Sequence, residues 1–172
     1  SVARYTSAFT PSTSAFLNDA QTTCLIHCNG ANLSTSFNDD NGNKNLRNLQ
    51  PLEVSGTLGF SSDEKRFGTK SIDFGNATGH LRLLTPDFSI GTDDMTFECF
   101  WRTTDTSQNQ CLLDPRPAST NGFYPVILYR GSTGEIEFFW NSAQRIFWNA
   151  SSIVANTWYH VALTRSSGVW RL

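Results

Sequence analysis

Apolar and polar positions alternate with a period of two along most of the chain, and no window of about 11 residues carries an apolar stripe at helical spacing. Successive side chains of a strand point to opposite faces, so this alternation predicts half-buried strands. Residues 96–102 (TFECFWR) are the clearest case, with Phe97, Cys99 and Trp101 on one side and Phe100 on the other. Residues 123–130 and 135–140 bracket Gly131-Ser132-Thr133-Gly134, whose glycines supply the positive φ angles a hairpin loop needs. Further strands are predicted at 24–28 (CLIHC), at 71–75 with Ile72 and Phe74 on one face, and at 80–83 with Leu81 and Leu83 inward. Others follow at 145–149 and 158–165, and a closing strand over 169–172 has no partner after it. Short strands separated by turn clusters predict an all-β fold, a sandwich of two antiparallel sheets.

Two stretches break the alternation. Residues 29–49 are crowded with Asn, Asp, Ser and Gly and predict a long ordered surface loop. Residues 11–22, rich in Ser and Thr, read as a linker and place a boundary near residue 20. A chain of 172 residues with 38% hydrophobic content builds one full core, so a single main domain is expected.

Charge narrows the partners. Only 16% of residues are charged, so the polar surface comes from Ser, Thr, Asn and Gly, as in many extracellular and viral β-proteins. A net charge of -2 offers no basic stripe, and Asp63-Glu64-Lys65-Arg66 cancels itself, which argues against nucleic acid. No apolar run approaches the roughly 20 residues a bilayer-spanning helix needs, so membrane insertion is not expected.

Four cysteines are present. On a strand, Cys24 and Cys28 would share a face about 13 Å apart and could not bridge each other. All four are expected as free, buried, small apolar side chains. His27 would project from the face opposite Cys24 and Cys28, which removes a zinc site from consideration.

Six segments, taken together, resemble laminin G-like, concanavalin A-like jelly-roll modules of the kind found in bacteriophage sequences. They are CLIHCNG, FNDDNGN, KRFGTKSIDFGNATGHLRL, DMTFECFWR, GFYPVILYRGSTGEIEFFW and TWYHVALTRSSGVWRL. The opening VARYTSAFTP is similar to the way such modules end. The resemblance therefore implies that residues 1–20 are the end of a preceding repeat plus a linker. Residues 21–172 would be a jelly-roll domain whose closing strands lie beyond this segment of a tandem array. The alternative is that the opening strand docks on this same domain's sheet.

The resemblance also brings three chemistries to weigh. Related jelly rolls include β-glucanases with a Glu-x-Asp-x-x-Glu strand; here Glu135 and Glu137 share a face at roughly 7 Å, but Trp140 stands where the acid/base carboxylate would be. No catalytic residue is expected, and β-glucan hydrolysis is the remote alternative. Calcium is a candidate at Asp39, Asp40, Asn41 and Asn43, which gather oxygen ligands around Gly42, although a solvated turn has the same composition. Laminin G domains often carry a calcium-binding Asp just before the strand at Gly122, and Asn121 occupies that place here. Glycan binding is the third, since sugars stack on exposed aromatic rings while amides and carboxylates hold the hydroxyls. The candidates are Phe100, Trp140, Asn141, Trp148 and Asn149. Asn32, Asn76 and Asn149 also match N-glycosylation acceptors.

The expectation is thus a non-catalytic module of a virion structural protein, a phage tail fibre or capsid-decorating protein, at the virion surface or outside the cell. It would serve adhesion to host-surface glycans or particle assembly, with other virion proteins or copies of itself as partners, and is expected to be a homo-oligomer. A secreted bacterial carbohydrate-binding repeat is the alternative.

Overall fold

The computed structural model describes residues 5, 7–17, 19–22, 24–28, 53–55, 58–75, 79–82, 91–116, 124–141, 143–149 and 153–172. Among them every regular element is a strand, every pairing is antiparallel, and no helix occurs. The chain divides into two units, one comprising Phe9–Thr92 and the other Val2–Ala8 with Asp93–Leu172.

The first unit holds two short ladders. β1 (Glu53–Ser55) pairs with β4 (His80–Arg82), and β2 (Gly59–Ser61) pairs with β3 (Ser71–Asp73). Leu58 and Phe60 are buried, and Ile26, Cys28, Ile72 and Leu81 pack on them. Residues 24–28 reach this small core without forming a strand, contrary to the alternation, and His27 is tied instead to the Phe16 carbonyl by its Nε2 at 2.8 Å. Phe74 does not join Ile72: β3 ends at Asp73, whose Oδ1 accepts from the Gly75 amide at 2.8 Å, and Phe74 is 44% exposed. The predicted loop at 29–49 lies outside the described residues, as does Leu83.

The second unit is a sandwich. β5 (Met95–Arg102), β10 (Trp158–Ser166) and β11 (Val169–Arg171) form one sheet in the order β11-β10-β5. β6 (Gln110–Leu113), β7 (Val126–Arg130), β8 (Glu135–Trp140) and β9 (Ala143–Asn149) form the other in sequence order. The alternation decides which side chains meet between them. Val161 and Leu163 from one sheet and Ile127, Tyr129, Ile136 and Phe138 from the other make one buried cluster, joined by Phe97, Cys99 and Trp101 as expected. Burial pushes the Cys99 thiol up to about 12, with the Glu98 charge adding to the effect. None of the four cysteines is in a disulfide, but instead of being buried Cys24, Cys28 and Cys99 are half-buried, and Cys111 is exposed because its position on β6 turns it away from the core.

The closing strand pairs with the strand before it. Ser167 and Gly168 take positive φ angles of 49° and 78°, which folds β11 back onto β10 as a tight hairpin. Asp94 fixes this turn by accepting from the Ser167 amide at 2.7 Å. Arg165, 5% exposed, donates from Nε and a terminal nitrogen to the Asp93 carbonyl and lies 4.9 Å over the Trp170 ring.

A polar knot joins the two sheets where β5 passes into β6. Trp101 Nε1 donates to Gln110 Oε1 at 3.0 Å, and Gln110 Nε2 donates to Thr103 Oγ1 and to the Asp105 carbonyl. Asp105 Oδ1 accepts from the Ser107 hydroxyl at 2.7 Å and amide at 2.8 Å, which hold its carboxyl below the ordinary value. The same loop presses on the β7–β8 turn: a Cβ on Gly131 would lie 2.2 Å from the Ser107 carbonyl oxygen, so only glycine fits.

Two outcomes follow for stability. Phe138 is fully buried and stacks 4.7 Å from Trp170, so Phe138→Ala is expected to lower the urea unfolding free energy by about 3–5 kcal/mol. Asp105 ionises more readily folded than unfolded, so its contribution is present above its ordinary value of 3.8 and is lost as pH falls through the lower folded value. Asp105→Asn should therefore lower the thermal midpoint at neutral pH, and the gap from the native chain should close in strong acid.

Candidate functional site

The strands that fill the core turn their alternate residues outward. On the four-stranded sheet, Cys111 faces Leu128, Leu128 faces Glu137 and Glu137 faces Phe147, giving one row across β6 to β9. Arg130, Glu135 and Asn149 form the row on one side, and Val126, Phe139 and Gln144 the row on the other. A bulge between Phe138 and Phe139 inserts Arg145 into β9, whose Nε donates to the Trp140 carbonyl at 3.1 Å.

Glu137 is the fixed centre of this face. It is 3% exposed. Arg130 grips it with a bidentate pair, Nε to Oε1 at 2.9 Å and Nη2 to Oε2 at 2.8 Å, and Gln144 Nε2 adds a third donor to Oε1 at 2.9 Å. Hydrogen bonding and charge from Glu137 in turn hold the Arg130 guanidinium above its ordinary value. Burying a carboxylate without such donors costs several kcal/mol, so the sequence triad Arg130, Glu137 and Gln144 explains why an acid is tolerated here.

Beside the triad stands Phe147, 56% exposed on the outermost described strand. The Arg130 side chain keeps a third of its surface in solvent. An open aromatic ring next to an ordered guanidinium, an amide and the exposed Asn149 offers what a sugar ring requires: an apolar platform and fixed hydrogen-bonding groups at its edge.

Glu135 and Glu137 share this face, as the sequence predicted, but their roles differ. Thr133 Oγ1 donates to Glu135 Oε2 at 2.9 Å, at the hairpin turn. Both Glu137 oxygens accept from fixed donors, so Glu137 orients its neighbours and is not presented as a solvated strand carboxylate.

The sequence candidates fall in three places. Phe100 lies on the outward side of β5 in the other sheet, 4.9 Å from the His160 ring. Trp140 packs on the core, 5.2 Å from Trp170, and Asn141, with φ of 54°, forms the exposed turn after it. Trp148 faces Ile136 in the ladder and is 47% exposed, with Asn149 opposite Glu135. Trp140 and Trp148 thus sit at opposite ends of the β8–β9 hairpin, and only Asn149 shares the face of Glu137. Phe147, Arg130 and Gln144 were missed. The signal was present in the hairpin: counting back from the Gly131–Gly134 turn pairs Arg130 with Glu135, and so puts both on one face with Glu137.

Asp39, Asp40, Asn41, Asn43 and Asn121 lie outside the described residues, as do Asn32 and Asn76, whereas Asn149 is exposed. Among the described residues no group of three or more His, Cys, Asp and Glu is placed to hold a metal ion.

Truncating Arg130 leaves the buried Glu137 with a single amide donor, so Arg130→Ala should destabilise the chain by about 3 kcal/mol in chemical unfolding. Arg130→Lys, which cannot form the fork, should recover only part of that loss.

A family profile described as the concanavalin A-like lectin/glucanases superfamily, of laminin G type, matches residues 74–172. No curated protein and no solved structure matches the chain.

Proposed function

The chain belongs to the concanavalin A-like lectin/glucanases superfamily, and from that membership we propose a non-catalytic carbohydrate-binding or adhesion module that engages glycans through the outer face of its four-stranded sheet. The observation that carries the reading is Phe147, a large ring left open beside the locked triad of Arg130, Glu137 and Gln144. Aromatic stacking gives such a contact its apolar part, and the ordered polar groups give it orientation. The absence of a catalytic role is part of the proposal: Glu137 is held by three donors, and the position of the acid/base carboxylate carries Trp140.

The setting we propose is a virion structural protein, a phage tail fibre or capsid-decorating protein with repeated modules. Host-surface glycans would be its ligands, and other virion proteins or copies of itself its partners. Support comes from the resemblance of six segments to modules of phage sequences, and from a surface built of Ser, Thr, Asn and Gly rather than charge. A single shallow site binds weakly; many copies on one particle raise the effective strength by factors on the order of a hundred or more.

A multivalent form of the chain on a glycan array tests the reading. Retention on a defined class of sugars is expected, with Phe147→Ala losing it while the thermal midpoint stays within about 2 °C of the native chain, as befits an exposed side chain. No retained sugar, or retention unaffected by Phe147→Ala, would count against this face. Hydrolysis of β-glucans abolished by Glu135→Gln would overturn the non-catalytic reading.

A further inference from the structure

The outer face of the three-stranded sheet carries a cluster that neither the core nor the glycan-binding face uses. Pairing of β5 with β10 sets Phe100 opposite His160, Glu98 opposite Ala162 and Thr96 opposite Thr164, all turned away from the core. Tyr5 is seated on this cluster. Its hydroxyl donates to Glu98 Oε2, its ring meets the His160 imidazole edge-on with centroids 5.9 Å apart, and its carbonyl accepts from Thr164 Oγ1 at 2.9 Å. His160 Nε2 reaches the same Glu98 oxygen at 3.2 Å, and Phe100 stacks 4.9 Å from the imidazole.

These groups are enclosed as a binding site is. The Glu98 side chain is 10% exposed, that of His160 2% and Thr164 1%. One tyrosine therefore satisfies a largely buried carboxylate and a buried hydroxyl through contacts that span 93 and 159 positions of sequence. The segment that follows has a different character: residues 7–14, SAFTPSTS, are exposed apart from Ser12, and Ser12 and Ser14 are hydrogen-bonded to each other.

We propose that Glu98, Phe100, His160 and Thr164 form a docking site for a tyrosine-bearing segment, and that the Tyr5 segment of a second copy of this chain can occupy it in exchange for the chain's own. The hydroxyl, ring and carbonyl contacts of Tyr5 are all non-covalent, so an identical segment from another copy can reproduce them. Such exchange of an identical element is a low-cost route to assembly. The chain's own segment competes at an effective concentration on the order of millimolar, so exchange dominates where copies are crowded or held together. The inference is independent of the glycan reading, since it concerns the other sheet.

Complementation tests it with two full-length variants. Tyr5→Ala has a site and no tyrosine; Glu98→Gln combined with Thr164→Val has the tyrosine and a broken site. Native mass spectrometry should show a one-to-one complex in the mixture and monomers of each variant alone. If the double variant does not fold, a synthetic peptide of residues 1–10 serves as donor to the folded Tyr5→Ala chain. Saturable binding is expected, about tenfold weaker for the peptide with Tyr5→Phe, which lacks the hydroxyl that reaches the carboxylate. A folded Tyr5→Ala chain that takes up neither the double variant nor the peptide at millimolar concentration overturns the proposal.

Discussion

The structure depends on one constraint, the register of two sheets packed face to face. Ile127, Tyr129, Ile136 and Phe138 interlock with Val161 and Leu163, and because strand side chains alternate, fixing these residues inward fixes every neighbour outward. A slip of one position in β8 would drive Glu137 into the core and bring Phe138 to the surface. The buried aromatic layer thus determines which polar groups the outer faces present. Both outer faces, one carrying Glu137 and Phe147 and the other Glu98 and His160, are consequences of the same packing.

Much of this was legible in the chain. β5, the β7–β8 hairpin and β10 are strands whose two faces meet different surroundings, and their alternation announces it. The failures have local causes. Residues 24–28 alternate as a strand does, but alternation states which side chains are buried and not whether the backbone finds a partner; Cys28 and Ile26 pack on Leu58 and Phe60 without a ladder. The short strands β1, β2 and β6 have 3, 3 and 4 residues, too few to show a period.

The candidate site was legible in part. Alternation placed Phe100 on an outer face, and residue type alone pointed to tryptophans. Trp140 found the core instead, against Trp170, which also meets Phe138. Phe147 was passed over because a lone phenylalanine reads as core, and its exposure results from its place on the outermost described strand of its sheet. The docking of Tyr5 on Glu98 and Thr164 joins positions far apart in sequence, which no local pattern records.

The most direct test of the central claim is a residue-by-residue map of the bound surface. With the isotopically labelled native chain and an oligosaccharide it retains, amide chemical shifts in titration report which sheet face meets the sugar. The account predicts that the largest changes gather on Arg130, Glu135, Glu137, Gln144, Phe147 and Asn149. Changes confined to the Asn141 turn, or to the outward residues of β5 and β10, would contradict it.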